Sequence, residues 1–295
     1  MANVLPFQGI RYNPKHVRNL SKVVSPPYDV ITDTQQEHYY RVSPYNVIRL
    51  ELGKHFSRDN GLKNRYTRAR AFLEKWSSEG VLIQDKEPSI YIYEQTFKKG
   101  KNWVRRLGFM ALLELGGSGS KNSIYPHEKT FPSPKEDRFL LLKSLQANIS
   151  PLFFLFSDRR QRIEKIMKQG IQRTPLIADV SQGSEQHRVW RLTDPSFIKR
   201  LRRVLSRSPL FIADGHHRYQ TSLNYQAHCH KTFSCPEESQ ADYTMVLLGN
   251  LADPGLHLLP THRLCFGLAA ADATTILSKL SPYFTLSPVS NRKEL

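Results

Sequence analysis

Between residues 64 and 80, Tyr66, Ala69, Leu73 and Trp76 recur at three- and four-residue intervals, the period that stacks side chains on one helix face. Gly80 supplies the stop. Residues 89–97 (SIYIYEQTF) and 105–115 (RRLGFMALLEL) are instead dense in β-branched, aromatic and alternating apolar positions, which predicts a strand pair turning at KKGKN. The stretch 135–148 predicts a second long helix, and PLFFLF at 151–156 is a short apolar run suited to a buried strand. Residues 208–214 form another apolar run, cut by Gly215 and followed by a helix from His216 to about Cys229. Further on, 243–251 and 256–264 read as a strand pair joined at Asp253-Pro254-Gly255, and 269–282 reads as a helix. Strands and helices in this mixed order predict an α+β fold, with mixed sheets and flanking helices rather than a repeating βα wheel. The linker GGSGSKNS (116–123) separates an N-terminal α+β portion, 1–120, from a motif-bearing portion, 121–295, unless the two form one continuous domain.

Composition narrows the class. At 295 residues and 39% hydrophobic content the chain is long enough and apolar enough for a real core. No run approaches the ~18 uncharged apolar residues of a membrane span, and MANVLPFQGI lacks the build of a Sec signal. Three cysteines exclude a disulfide framework, which together with the missing signal points to the cytoplasm. The net charge of +17 favours anionic partners such as phosphates, nucleotides or nucleic acid. Part of that charge sits in two runs, 159–173 and 199–207. In the second, Phe197, Leu201, Val204 and Leu205 keep helical spacing while arginines and lysines fill the rest. A solvated helix face packed on the core explains both runs; a patch for a phosphate backbone is the sharper alternative, without the interleaved aromatics of a single-strand reader.

The densest local chemistry is Ile212-Ala213-Asp214-Gly215-His216-His217-Arg218-Tyr219. A strand ends in an acid, turns at a glycine and opens a helix whose N-terminus offers unpaired N–H groups and a positive dipole end. Gly215 would let a ligand approach the backbone, and Arg218 could hold a phosphate with two parallel hydrogen bonds. His216 or His217 would carry a proton near neutral pH, and Asp214 would orient one of them or hold Mg²⁺. In the plain alternative, Asp214 caps the helix and the histidines pack on the sheet. A second constellation comprises His127, Glu128 and Thr130, followed by Lys135 and Arg138. Phe131 stands where a zinc-protease motif needs its second histidine, so that chemistry is excluded. A loop and helix start with these groups could still embrace a phosphorylated substrate, or form no more than a capped, solvated first turn. His262 and Arg263 add positive charge at the end of the last predicted strand. Pro26-Pro27 before Tyr28-Asp29 fixes φ twice, reads as a structural corner and is a candidate for a cis bond. His228, Cys229, His230 and Cys235 match no common zinc spacing.

Seven segments in order resemble the family known as domain of unknown function 1015: 26–31 (PPYDVI), 44–50 (PYNVIRL), 93–97 (YEQTF), 126–130 (PHEKT), 134–138 (PKEDR), 213–219 (ADGHHRY) and 259–263 (LPTHR). The resemblance implies members that continue further and end in a lysine-rich motif absent here, hence a C-terminally shortened chain with an exposed apolar patch or strand edge near its end. The turn within 208–229 also resembles the phosphate-binding strand-turn-helix of the ParB and sulfiredoxin superfamily, which includes an ADP-dependent kinase for free serine. That resemblance implies a phosphate at Gly215 and Arg218, and a nucleotide of the ADP/ATP or CTP kind. The expected function is therefore binding of a nucleotide or phosphorylated small metabolite with transfer or hydrolysis of a phosphoryl group, with serine or phosphoserine the first substrate to test by analogy. A ParB-like nucleic-acid-binding regulator without catalysis is the alternative, although no convincing helix-turn-helix accompanies it.

Overall fold

Alternation along the two longest strands builds the sheet. The computed structural model describes residues 2–116, 124–128, 132–233, 239–258, 266–267 and 269–288. In β4 (Ile90–Lys99) and β5 (Asn102–Glu114), Ile90, Ile92, Phe109, Ala111 and Leu113 point to one face and are wholly buried there. Short strands precede them: β1 (Val4–Leu5), β2 (Ile10–Tyr12) and β3 (Leu82–Gln84). After them come β6 (Ile124–Tyr125), β7 (Leu152–Phe156), β8 (Leu176–Gln182), β9 (Glu185–Leu192), β10 (Leu210–Asp214) and β11 (Tyr243–Asn250). The main sheet runs β6-β10-β7-β11-β5-β4-β9-β8, with β1 also pairing β5. It is mixed: β10 is parallel to β6, β7 is parallel to β11, and the remaining pairs are antiparallel.

Helices cover this sheet according to their apolar stripes. The helices are α1 (Asp33–Val42), α2 (Ile48–Glu51), α3 (Arg65–Ser78), α4 (Pro132–Leu145), α5 (Arg162–Ile171), α6 (Pro195–Leu205), α7 (His216–Phe233) and α8 (Ala270–Leu280). α5 and α6 bury Ile163, Met167, Phe197 and Leu201 in the same core cluster as Ile92, Phe109 and Phe154. Their basic residues lie on the other side of that stripe, and Arg162, Lys168 and Arg202 are held by Asp158, Glu164 and Asn3. In α3, Asn64 caps the first turn through a reciprocal bond with Thr67, Trp76 is buried, and Gly80 ends the segment at φ +69°.

α4 and α7 lie side by side and run in the same direction. The Thr221 hydroxyl bonds the Lys135 carbonyl at 3.3 Å, and one turn and more further on Phe139 meets His228 edge to face at 5.7 Å between ring centres. Their N-termini therefore open at one end of the layer. That alignment matters for everything below.

The mixed α/β architecture expected from sequence is present, as a large mixed sheet flanked by helices. The sheet draws β1, β4 and β5 from before residue 120 and β7, β10 and β11 from after it, so Met1–Leu256 is a single unit and no division falls at the linker. His257–Leu295 is a second unit, whose described helix is α8. Asp253-Pro254-Gly255 does turn the chain, but residues 256–258 are not strand, and 259–265 lie outside the described residues. No peptide bond among the described residues is cis, so Pro26-Pro27 makes its corner in trans. The β8–β9 hairpin, turning at Gly183 with φ +60°, went unpredicted because β9 is half-buried at most positions and shows no clean alternation. No described helix is long and apolar enough to cross a membrane.

Gly255 anchors the end of this unit. Asp253 accepts bonds from the Gly255 amide at 2.7 Å and the Leu107 amide at 3.0 Å, pressing the turn onto β5. A Cβ at Gly255 would lie 2.1 Å from the Arg105 carbonyl oxygen. Gly255→Ala is therefore expected to destabilise the protein by about 1–3 kcal/mol, as overpacking does, read as a lower midpoint of urea unfolding.

Candidate functional site

The strand-Gly-helix turn folds back on itself. β10 ends at Asp214, Gly215 adopts φ +94°, and α7 begins at His216. Arg218, one turn into the helix, reaches back to Asp214 at 2.6 Å and to the Pro151 carbonyl at 2.8 Å. Its guanidinium lies 3.1 Å from where a Cβ on Gly215 would stand. Glycine is required twice over here, by the positive φ and by the arginine laid against it. The space above Gly215 that a ligand would use is occupied by Arg218, whose fork is already engaged. Arg218 is thus a positioned positive charge rather than an open bidentate clamp. Asp214 gives Oδ2 to that guanidinium, and the rest of its carboxylate stays exposed.

His216 is the buried member of the histidine pair, at 4% exposure. Its Nε2 accepts a bond from the His127 backbone N–H at 3.2 Å, and its Nδ1 faces Glu128 Oε2 at 3.5 Å. Accepting at Nε2 leaves the ring proton on Nδ1, directed at the carboxylate. The His127 ring stands edge-on to His216 at 4.4 Å. Burial first, then the neighbouring His127, hold the His216 imidazole below the ordinary value of 6.5 despite Glu128 and Asp214. His127, Glu128 and His216 present ligand atoms within 4.8 Å of one another. Two imidazoles and one carboxylate suit zinc, manganese or iron better than magnesium, which prefers oxygen ligands. Asp214 gives Oδ2 to Arg218 and, among the described residues, belongs to no cluster of three or more potential ligands.

The second motif meets the first at the start of α4. Lys135 is half-buried beside Thr221 of α7. Arg138 is 6% exposed and its charge is fully spent inside the protein. It bonds Asp137 at 2.5 Å, the Glu51 carboxylate at 3.2 Å and the Glu51 carbonyl at 3.1 Å, and it lies 3.9 Å over the Tyr28 ring. Asp137 also holds Arg65 and, at 2.8 Å, the Tyr66 hydroxyl. Burial pushes the Asp137 carboxyl up, but Arg138, Tyr66 and Arg65 outweigh it and hold the group below the usual carboxylate range. A cavity of about 50 Å³, bounded by Glu51, Arg138, Arg218 and Thr221, lies between these elements.

Most of the expected residues therefore lie around one end of the α4–α7 pair: His127, Glu128, Lys135 and Arg138 from one motif, and Asp214 to Arg218 from the other. His217 is half-buried in the first turn of α7. Thr130, His262 and Arg263 lie outside the described residues, as does Cys235; His230 bonds Asp242 at 2.6 Å. Tyr28 and Glu51 were missed. In sequence Tyr28 reads as part of a corner, and Glu51 follows directly on the PYNVIRL segment with nothing local to say that a glutamate in a four-residue helix is buried.

Two outcomes test this account. Arg138→Ala should cost about 3–5 kcal/mol in urea unfolding because it strands the buried Glu51, and adding Glu51→Leu should recover part of that loss. Because the His216 pKa is lowered in the folded state, its contribution is present above pH 6.5 and is lost as pH falls through the folded value. The melting temperature should therefore fall more steeply from pH 7.5 to 5 in the native protein than in His216→Gln.

No curated protein and no solved structure matches this chain. The seven motifs and the interlocked polar groups that they supply agree with the match of one family model, described as "Protein of unknown function (DUF1015)", over residues 4–294. The chain belongs to that family.

Proposed function

We propose that the shared end of α4 and α7 binds a phosphorylated small metabolite or nucleotide, and that a phosphoryl group is transferred or hydrolysed there. One observation carries the proposal: two parallel helices open side by side, and their first turns are flanked by His127, His216, His217, Lys135 and Arg218. Aligned helix N-termini add their dipole ends, and Lys135 and Arg218 strengthen the attraction for an anion. Phosphoryl transfer asks chiefly for positioning and charge neutralisation, which such a site supplies.

The residues divide the work. Arg218 supplies fixed positive charge, locked by Asp214 and Pro151. Glu128 is exposed and faces the His216 Nδ1–H, so the pair is placed to exchange a proton with a bound hydroxyl or water. Serine as acceptor, or phosphoserine as substrate, remains the first candidate by analogy. No nucleic-acid readout needs to be invoked for the basic runs, since α5 and α6 use their apolar stripes in the core and several of their cations are paired.

Calorimetry with inorganic phosphate, phosphoserine and ADP, paired with phosphorus NMR of turnover, tests the proposal. Saturable binding is expected, weakened in Arg218→Ala through loss of a fixed charge and of the turn that it holds at Gly215, and also reduced in His216→Gln. Turnover should fall in Glu128→Gln with binding largely kept. Equal affinity in the native and Arg218→Ala proteins would sink the proposal, and salt-sensitive binding of duplex DNA without turnover would put the regulator in its place.

A further inference from the structure

The other face of the main sheet is only partly covered by the described residues. Where Ile92, Phe109, Ala111 and Val246 enter the core beneath α5 and α6, the alternate residues of the same strands line a cavity of about 660 Å³. Tyr91 and Tyr93 of β4, Met110 and Leu112 of β5, and Met245 of β11 form its floor. Residues from segments 7–12, 20–25 and 147–151 and from β8 and β9 form its other walls. Protein interiors are close-packed, and voids much larger than a water molecule are few. This volume falls within the roughly 300–1,000 Å³ of small-molecule sites.

The chemistry of the wall selects the ligand. Most of it is aliphatic, aromatic or thioether surface. The one guanidinium on it, from Arg11, is bonded to Asp85 at 2.9 Å. Asp85 also holds Arg191 at 3.1 Å and the Tyr91 hydroxyl at 2.8 Å. Asp85 thus answers both guanidinium groups and leaves one net positive charge beside Arg11, while the floor from β4, β5 and β11 carries no charged side chain. Gln8, whose amide donates to the Lys86 carbonyl at 2.7 Å, Ser25 and Gln182 place polar groups on the walls, and over the floor the Tyr93 hydroxyl meets His187 Nδ1 at 2.7 Å, with the two rings stacked at 18°. Burial, the largest influence on both, lowers the His187 pKa and raises that of Tyr93 to about 12, so both are neutral at pH 7. Asn148 adds an amide whose oxygen is taken by the Thr244 hydroxyl at 3.1 Å.

We infer that this cavity is a binding site for an uncharged, mainly apolar small molecule that carries one hydrogen-bonding group, directed at the Tyr93–His187 pair. It is separate from the proposed phosphate site and does not depend on it. The two share only the segment 147–151, where Ile149 and Pro151 line the cavity while the Pro151 carbonyl holds Arg218.

The methionines make the test direct. The chain has four, of which Met110 and Met245 line the cavity and Met167 lies in the opposite core. With methyl-labelled methionine, the neutral fluorophore N-phenyl-1-naphthylamine should bind saturably near one to one and shift the Met110 and Met245 resonances while Met167 stays in place. Leu112→Trp should weaken binding at least tenfold by filling the space. Should that variant fail to fold, Tyr93→Phe serves in its stead, with an expected severalfold loss. The sulfonated analogue 1-anilinonaphthalene-8-sulfonate should bind at least tenfold more weakly than the neutral probe. Absence of saturable binding, binding that leaves both Met110 and Met245 unmoved, or equal affinity for the charged and neutral probes would each overturn the inference.

Discussion

A single buried guanidinium organises the polar end of the molecule. Arg138 cannot remain charged at 6% exposure unless every direction it faces is answered, and the protein answers with Asp137, Glu51 and the face of Tyr28. Those partners come from a proline-fixed turn, a four-residue helix and the first turns of α4 itself. Asp137 carries the network on to Arg65 and Tyr66 at the start of α3. Satisfying one charge thus fixes the start of α4 against α2, α3 and the N-terminal turn. With α4 fixed, the placement of its N-terminus beside that of α7 follows.

The same logic separates structural charge from charge left for chemistry. Arg138 and Arg218 look equivalent in sequence, each in a dense polar motif, one directly after Asp137 and the other four residues after Asp214. In the fold both are tied, Arg138 deeply and Arg218 by a short backward reach across Gly215. What remains outward-facing near the helix openings is smaller: Glu128, the His127 ring and the rim of Asp214. The charged groups beneath these openings are held by bonds within the protein itself.

The main sheet is used differently on its two faces. Under α5 and α6, alternate positions interdigitate into a close-packed core. On the reverse face, tyrosines and methionines from the same strands line an open volume instead. A strand commits successive side chains to opposite sides, so one stretch of β4 contributes Ile92 to the stability of the fold and Tyr93 to a cavity wall.

Much of the secondary structure was legible from periodicity. The stripe of Tyr66, Ala69, Leu73 and Trp76 marked α3, the dense apolar runs marked β4, β5, β7 and β10, and glycine marked the turns at 80, 100 and 215. The ordered motifs also carried the family. Periodicity reports which way a residue faces, however, and not what it will meet, because partners are brought together by contacts far apart in the chain. The pairing of β5 with β11, separated by more than a hundred residues, closed one sheet across a linker that composition marked as a boundary. The burial of Glu51 and Tyr28 against Arg138 has no local signal, since a charge becomes a structural element only when its counter-charges are folded around it. Long-range packing likewise brought Arg218 to the Pro151 carbonyl, joined His127 to His216 and left a cavity beside Tyr93, and none of these is a property of a neighbouring residue.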